Sequence, residues 1–334
     1  MLQTMHKILI VGVGSIGERH LRCFGATERA ETGFCEVNAT LRDTIEQRYP
    51  TGKAFADLDA ALKLPWDAAV IATPANTHIP IAKRLAEHGL HLLIEKPLST
   101  TLNGVEELQR ICRDRKRIVG VAYVHRSNIV FAQMREAIAS GRFGKPLEVV
   151  AVCGQHFPTF RPAYREIYFT DRAKGGGSIQ DALTHIINAA EWIVGPVDRV
   201  MADAQHLGLE GVTVEDTVHA LTRHGNVMGS FTMNQFQALN ELLFTVVCER
   251  GTVRYEPVLN RWRWMTEPSG SWHDEQLPPA ERDAMFIRQA NAFMDSLEGK
   301  ADLLCTLDEG IQTLRVNVAL LEMVEAAPWR AVAK

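Results

Sequence analysis

"KILIVGVGSIGERH", residues 7–20, decides the reading of this chain. A β-branched apolar run ends in glycine, and Gly12, Gly14 and Gly17 lead straight into a helical pattern. Each glycine has its own task in a strand–loop–helix unit. Gly12 permits a tight turn, Gly14 lets a pyrophosphate approach the backbone, and Gly17 lets helix and strand pack closely. The main-chain N–H groups of Ser15 and Ile16 at the helix start have no partner within the helix and favour an anion. The motif in this setting implies a dinucleotide site. The apolar run is short, is broken at once by glycine, and has no small-residue cleavage site behind it. It reads as a first strand, not as a signal peptide.

The pattern repeats outward from this loop. Short apolar runs stand at 7–13, 33–37, 68–73, 91–94 and 117–123. Helical patterns lie between them. One holds Ile79, Ala82, Leu85 and Ala86 and stops at Gly89; another spans Leu102 to Asp114. Strand and helix in alternation imply right-handed crossovers and a parallel sheet covered on both faces.

Ligands of such sheets sit at the carboxyl ends of the strands, so the strand ends supply candidate residues. Glu36 ends the second run, in "FCEVN". A carboxylate there accepts both hydroxyls of an adenosine ribose and repels a 2′-phosphate, which favours NAD. Arg42 is near enough to keep NADP open, and a solvated charge is the plain alternative. The third run ends in "IATPANTHIPIA", where Thr73 and Pro74 stop the strand and Asn76 and His78 open the next helix. All four are candidate cofactor contacts, and Asn76 or Thr77 can equally be a helix cap.

The fourth run, "HLLIEKPLST", residues 91–100, passes from apolar residues into Glu95, Lys96 and Pro97. A lysine at that edge lies beside the nicotinamide end of a bound dinucleotide. Its ammonium favours the alkoxide of a substrate hydroxyl. Glu95 is placed to fix Lys96 by a charge-assisted contact. Pro97 stops the strand and holds a turn, with a cis bond as an option. From this segment alone an exposed ion pair explains the residues equally well.

The texture changes after residue 123. A helix near Asn128 to Ser140 leads to the strand "PLEVVAVCG" and then to a polar, aromatic, glycine-rich stretch, 155–178. A single helix follows, "IQDALTHIINAAEWIVG", which places Asp181 and His185 at i, i+4 on one face. Ala182, Ile186, Ala189 and Ile193 lie on the neighbouring face and should pack inward. Residues 199–266 hold only strand-like runs with turn signals, which points to a mostly antiparallel sheet. Two helices close the chain. The first buries Phe286, Ile287, Ala290, Phe293, Met294 and Leu297, and the second opens with Thr306 and Glu309 at capping-box spacing. The expected division is 1–123 for dinucleotide binding and 124–334 for substrate binding and oligomerisation, with a ligand cleft between them.

Composition bounds what else is plausible. The chain has 334 residues, 46% apolar and 23% charged, enough for two domains with full cores. A net charge of −4 gives no reason to expect nucleic acid or an anionic membrane as partner. No apolar run reaches the length of a membrane span. Six scattered cysteines, with no C-x-x-C pair and no His/Cys cluster at ligand spacing, read as reduced thiols of a cytoplasmic protein without a metal.

Taken together, "GVGSIGERH", "IATPANTH", "IEKPLS", "GGGSIQDALTH", "VEDTVHAL" and "TLDEG" resemble the Gfo/Idh/MocA oxidoreductase family, in order and spacing along nearly the whole chain. The resemblance implies an α/β N-terminal Rossmann domain and a C-terminal α+β domain with an open, mostly antiparallel sheet. That sheet would mediate homodimers or homotetramers. It implies hydride transfer between NAD or NADP and a secondary alcohol of a sugar, inositol or derivative. By motif, Lys96 contacts the reacting hydroxyl, His185 is the acid/base, and Asp181 orients. Tyr123, His125 and Arg126 fall where members contact cofactor or substrate. Arg161, Tyr164 and Arg165, in a stretch similar to members from surface-sugar pathways, are candidate readers of a carboxylate or phosphate. Leu183 departs from the family, where glycine is common. Trp262, Trp264 and Trp272 read as sheet packing. The rival readings are an NAD-dependent glycosidase and a non-enzymatic sugar or redox sensor.

Overall fold

A computed structural model describes residues 5–50, 52–326, 329 and 332. The outer ends of both expected domains, residues 1–4 and those beyond 326 other than 329 and 332, lie outside the described residues. The chain forms two compact units. One runs through Ser127 and takes in Glu281–Ile311; the other holds Asn128–Ala280 and the chain from Gln312 on.

The first unit begins β1 (His6–Val11), α1 (Ser15–Gly25), β2 (Ala30–Cys35), α2 (Ala39–Arg48), β3 (Lys53–Phe55) and a single turn, α3 (Leu58–Ala61). It continues with β4 (Ala68–Ile71), α4 (His78–Glu87), β5 (His91–Ile94), α5 (Val105–Asp114) and β6 (Val119–Val121). The six strands are parallel, in the order β3-β2-β1-β4-β5-β6. This is the doubly wound Rossmann order, with its switch point between β1 and β4. Strands β4 and β5 are buried along nearly their whole length, as strands covered on both faces must be. Strands β1, β4 and β6 are shorter than the apolar runs suggest. Gly12 leaves the extended region at φ +82°, so β1 stops at Val11, and Glu36 lies one residue beyond β2.

The second unit contains α6 (Ile129–Ala139), β7 (Pro146–Gly154), a single turn, α7 (Phe157–Phe160), and α8 (Thr184–Val194). It then runs through β8 (Arg199–Gln205), β9 (Thr217–His224), β10 (Val227–Asn234), β11 (Glu241–Cys248), β12 (Gly251–Glu256), β13 (Arg261–Met265) and β14 (His273–Gln276). The sheet order is β14-β13-β12-β11-β7-β10-β9-β8, antiparallel except for the parallel pair β7–β10. Burial alternates strictly along β9 and β10, so one face is packed and the other is open. The packed face puts Val149, Ala151, Phe231, Phe244 and Tyr255 against Phe131, Ile186, Ile187 and Leu320. Met201, Leu221 and Met228 are exposed.

One expectation changes here. The helix at 179–195 is not regular from its start: Ile179–Leu183 wind as a π-helical turn before α8. The wider turn shifts residues 179–183 from the angular spacing that an i, i+4 argument assumes. Ile186 and Ala189 are buried as expected, and Ala182 and Ile193 pack partly on the same core. Leu183 is buried within it.

The chain then returns to the first unit. Helix α9 (Ala284–Leu297) lies on α1, with Phe24 edge-on to Phe293 at 6.4 Å. Phe293 and Met294 complete the core of Ile8, Ile10, Leu21 and Phe34. The pairs Arg22–Asp283, at 2.7 Å, and Arg29–Asp295, at 2.8 Å, flank the contact. Helix α10 (Leu307–Ala326) follows. Its start is the expected capping box: the Thr306 N–H donates to Glu309 Oε2 at 2.8 Å, and the Glu309 N–H to Thr306 Oγ1 at 3.2 Å. No helix of the described residues is long and apolar enough to cross a membrane. All six cysteines are buried, and burial pushes the Cys153 thiol up to about 12.

Candidate active site

The glycine loop is walled on two sides and open on the third. A Cβ on Gly12 would meet Thr73 Cγ2 at 2.9 Å, and one on Gly17 would lie 1.9 Å from the Gly12 carbonyl oxygen. A Cβ on Gly14 would meet nothing within 4 Å. That open side lies over the start of α1, which no side chain caps, so the N–H groups of Ser15 and Ile16 remain for an anion. At the end of β2, Glu36 Oε2 accepts from the Val13 N–H at 3.0 Å and Oε1 from the Asn38 N–H at 2.9 Å. Two fixed oxygens still have lone pairs for a ribose diol. Arg42 donates to the Glu36 main-chain carbonyl at 3.0 Å, which holds the guanidinium on the backbone at this strand end. These features fit a dinucleotide.

After β4, Thr73 and Thr77 share a hydroxyl hydrogen bond of 2.7 Å, and Pro74 precedes a 3-10 turn at Ala75–Thr77. Asn76 is exposed on that turn. Thr77 holds the N-cap position of α4, but its hydroxyl donates to the Pro74 carbonyl and caps nothing. The side chain of His78, expected at the cofactor, is buried in the frame instead. Its Nε2 faces the Thr73 carbonyl at 2.8 Å and its Nδ1 the Pro97 carbonyl at 3.1 Å. Burial lowers its pKa, and the neutral ring has one N–H to give. His78 thus ties the end of β4 to the turn after β5.

That turn carries Lys96, partly exposed, with a cis bond to Pro97. Glu95 is 5% exposed. Its Oε2 accepts the main-chain N–H of Lys96 at 3.0 Å, and its Oε1 accepts from His20 Nε2 on α1 at 2.7 Å. The expected contact between Glu95 and Lys96 thus includes the lysine's own backbone. Burial alone would raise the Glu95 pKa, but the His20 bond and the charges of His20 and Lys96 outweigh it and hold the carboxyl below its usual range. His125 stands near the same ammonium: burial and the Lys96 charge push its imidazole down to about 4. Tyr123 is buried. Arg126, expected at the substrate, is 3% exposed; it donates to the Leu304 carbonyl at 2.9 Å and to Glu309 Oε1 at 2.5 Å. Those partners make it part of the frame that holds the loop after β6.

In the second unit, Gly175 and Gly177 have φ of +98° and +86°, and a Cβ on Gly177 would lie 2.4 Å from Glu215 Oε1. The tight loop delivers Asp181, 2% exposed, on the π turn, and His185, partly buried, in the first turn of α8. Asp181 Oδ1 accepts the Tyr168 hydroxyl at 2.6 Å, and Arg161 lies 3.6 Å from Oδ2 with its side chain 48% exposed. Arg161 therefore lies beside Asp181. Tyr164 and Arg165 do not. The buried Tyr164 donates to the Glu210 carbonyl at 2.7 Å, inside a cluster with Phe157 and Phe169, and Arg165 donates to the same carbonyl at 2.8 Å. Their partners build the loop. Trp262 is in the core, while Trp264 stacks on His273 at 4.0 Å.

Sequence reasoning missed His20, Tyr168 and the Arg172–Glu215 pair at 2.7 Å. His20 had a signal: it lies on the buried face of α1 with Leu21 and Phe24. Tyr168 and Arg172 lie in an irregular loop with no period to read.

Comparison with known proteins agrees with this fold. Residues 6–123 match a family model described as an oxidoreductase family with an NAD-binding Rossmann fold, and residues 131–254 match the GFO/IDH/MocA C-terminal domain. The 1,5-anhydro-D-fructose reductase of Ensifer adhaerens is 24% identical over 261 residues, 77% of each chain. The uncharacterized oxidoreductase YdgJ of Escherichia coli is 30% identical over 155 residues, 46% of this chain but only 43% of its own length. The inositol 2-dehydrogenase of Rhodococcus jostii is 26% identical over 194 residues, 56% of this chain and 49% of its own. Among solved structures, levoglucosan dehydrogenase in complex with NADH and levoglucosan superposes with a TM-score of 0.88 at 18% identity, covering 98% of this chain and 99% of that one. The WlbA dehydrogenase from Bordetella pertussis, in complex with NADH and UDP-GlcNAcA, gives 0.83 at 24% identity, covering 98% and 97%. Several of the relatives are named as sugar, inositol or sugar-derivative dehydrogenases or reductases. With an NAD-binding Rossmann unit and the characteristic sheet unit both present, the chain belongs to the Gfo/Idh/MocA oxidoreductase family.

Proposed function

We propose that this chain is a cytoplasmic NAD(P)-dependent dehydrogenase acting on a secondary alcohol of a sugar, an inositol or a derivative of one. One observation carries the reading. Lys96 stands at the carboxyl end of β5, in a turn anchored by buried Glu95, on the sheet edge that also bears the glycine loop open over Gly14. The names of the relatives support the substrate class.

The residues divide the work. The loop from Gly12 to Gly17 receives the pyrophosphate and Glu36 the ribose, which favours NAD. Thr73, Pro74 and Asn76 border the same edge. When bound, the nicotinamide supplies the hydride acceptor. Lys96 hydrogen-bonds the reacting hydroxyl and favours its alkoxide. His185 takes the hydroxyl proton on a ring nitrogen. Asp181, held by Tyr168 and Arg161, orients the hydroxyl, and the exposed guanidinium of Arg161 suits an anionic group on the substrate. Residues 1–123 thus serve the dinucleotide. Residues 124–334 serve the substrate and, through the open sheet face with Met201, Leu221 and Met228, a homodimer or homotetramer.

The test is a panel of sugars, inositols, uronates and nucleotide sugars with NAD and with NADP, followed by NADH absorbance. With the best substrate, Lys96→Ala and His185→Ala should each lower turnover by about 10²–10⁴ while NADH still binds. Near-normal turnover in both overturns the assignment. Hydrolysis of a glycoside without net NADH would identify the glycosidase reading. Light scattering reports the oligomer.

A further inference from the structure

Helix α1 serves two points of the site at once. Its N-terminus lies under the open side of Gly14, and its sixth residue, His20, reaches the far strand end. His20 Nε2–H donates to Glu95 Oε1 at 2.7 Å, with His20 only 1% exposed. Glu95 Oε2 takes the Lys96 N–H at 3.0 Å. A carboxylate gripped at both oxygens has no freedom to rotate, so it transmits the position of α1 to the Lys96 backbone.

We propose that His20 is a positioning residue: through Glu95 it fixes the main chain of Lys96 relative to the helix end that receives the dinucleotide. The proposal rests on the reading that Lys96 works on the substrate oxygen, but the contact itself is testable without that reading. His20 also packs edge-on against Phe286 at 5.8 Å and tilted against Phe24 at 6.4 Å, so a purely steric role is the competing explanation. The two differ in which atom matters. A steric role needs a ring of this volume. A positioning role needs a donor at the place of Nε2, which the amide nitrogen of glutamine approaches and that of asparagine does not reach.

The experiment compares His20→Gln and His20→Asn with the parent chain. Hydrogen–deuterium exchange, followed by mass spectrometry on a peptide spanning residues 92–98, reads the Lys96 amide in the free protein. Exchange there should quicken by about tenfold or more in His20→Asn and return close to the parent rate in His20→Gln. His20→Asn should melt below the parent, because the buried Glu95 carboxylate loses its shorter contact, and His20→Gln should recover most of that loss; the NADH dissociation constant should change little in either. In turnover, His20→Asn should lose about tenfold in kcat, and the same change on a Lys96→Ala background should lose less than about twofold, because its effect runs through Lys96. Unchanged exchange in His20→Asn overturns the proposal, as does an equal loss of kcat on both backgrounds. Should His20→Asn fail to fold, Glu95→Met, of similar size but with no oxygen to accept either N–H, is measured in its place with the same two overturning outcomes. Retained activity in Lys96→Ala alone would sink the catalytic reading and leave the exchange result standing.

Discussion

The hydroxyl of Tyr168 donates to Asp181 Oδ1 at 2.6 Å, while Arg161 holds the other oxygen at 3.6 Å. The carboxylate is buried, so the shorter contact is the costlier one to lose. Tyr168→Phe should cost about 1.5–3 kcal/mol in urea unfolding, the range for hydrogen bonds to charged groups. Arg161→Ala, at an exposed and longer contact, should cost under about 1 kcal/mol. Equal losses in the two variants would contradict this ordering.

The glycine loop predicts opposite outcomes for two similar substitutions. Gly14 has an ordinary extended backbone, φ −60° and ψ −172°, and free space around it. Gly14→Ala should melt within about 2 °C of the parent, yet bind NADH about tenfold or more weakly, because the methyl occupies the pyrophosphate side. Gly17→Ala places a methyl 1.9 Å from the Gly12 carbonyl oxygen, and backbone cannot step aside. It should lose about 3 kcal/mol or more of stability. Calorimetry and nucleotide fluorescence separate the two.

Arg126→Ala tests whether that guanidinium is frame or substrate contact. Its removal strands the Leu304 carbonyl and uncouples Glu309. Stability should fall by about 2–4 kcal/mol, with KM nearly unchanged where the protein stays folded. A raised KM with stability retained would return Arg126 to the substrate.

His125 gives a pH dependence of defined sign. Its ordinary pKa of 6.5 falls to about 4 in the folded chain, through burial first and the Lys96 charge second. As pH drops below 6.5 the unfolded chain takes up the proton before the folded one does. This residue therefore withdraws stability progressively between pH 6.5 and about 4, by at most about 3 kcal/mol. His125→Gln should flatten that part of the stability–pH curve measured by urea unfolding. Parallel curves for the two proteins would refute the contribution.

Much of the architecture was legible because periodicity and punctuation agree here. The apolar run 91–94 is β5 itself, and Gly12, next after Val11, ends β1 for a plain backbone reason. Thr306 is a cap that the structure uses as a cap. What stayed hidden depends on contacts distant in sequence. His20 and Glu95 are 75 residues apart, and no local pattern links them. Arg126 reads as polar and available until the Leu304 carbonyl is placed beside it. The π turn carrying Asp181 adds one residue to a helical turn without disturbing the apolar spacing that follows.

The return of α9 to the first unit sets an order of events during synthesis. All six strands of the parallel sheet are complete by Val121, but Phe293 and Met294, which cover Phe24 and Leu21, are made only after the whole of Asn128–Ala280. At roughly 5–20 residues per second the ribosome takes about 10–30 s over that interval. For that time the nascent nucleotide-binding unit carries an uncovered apolar seam along α1. A gene fragment stopped at Ser127 would keep the seam permanently, and the protein it encodes should be found with chaperones or in inclusion bodies.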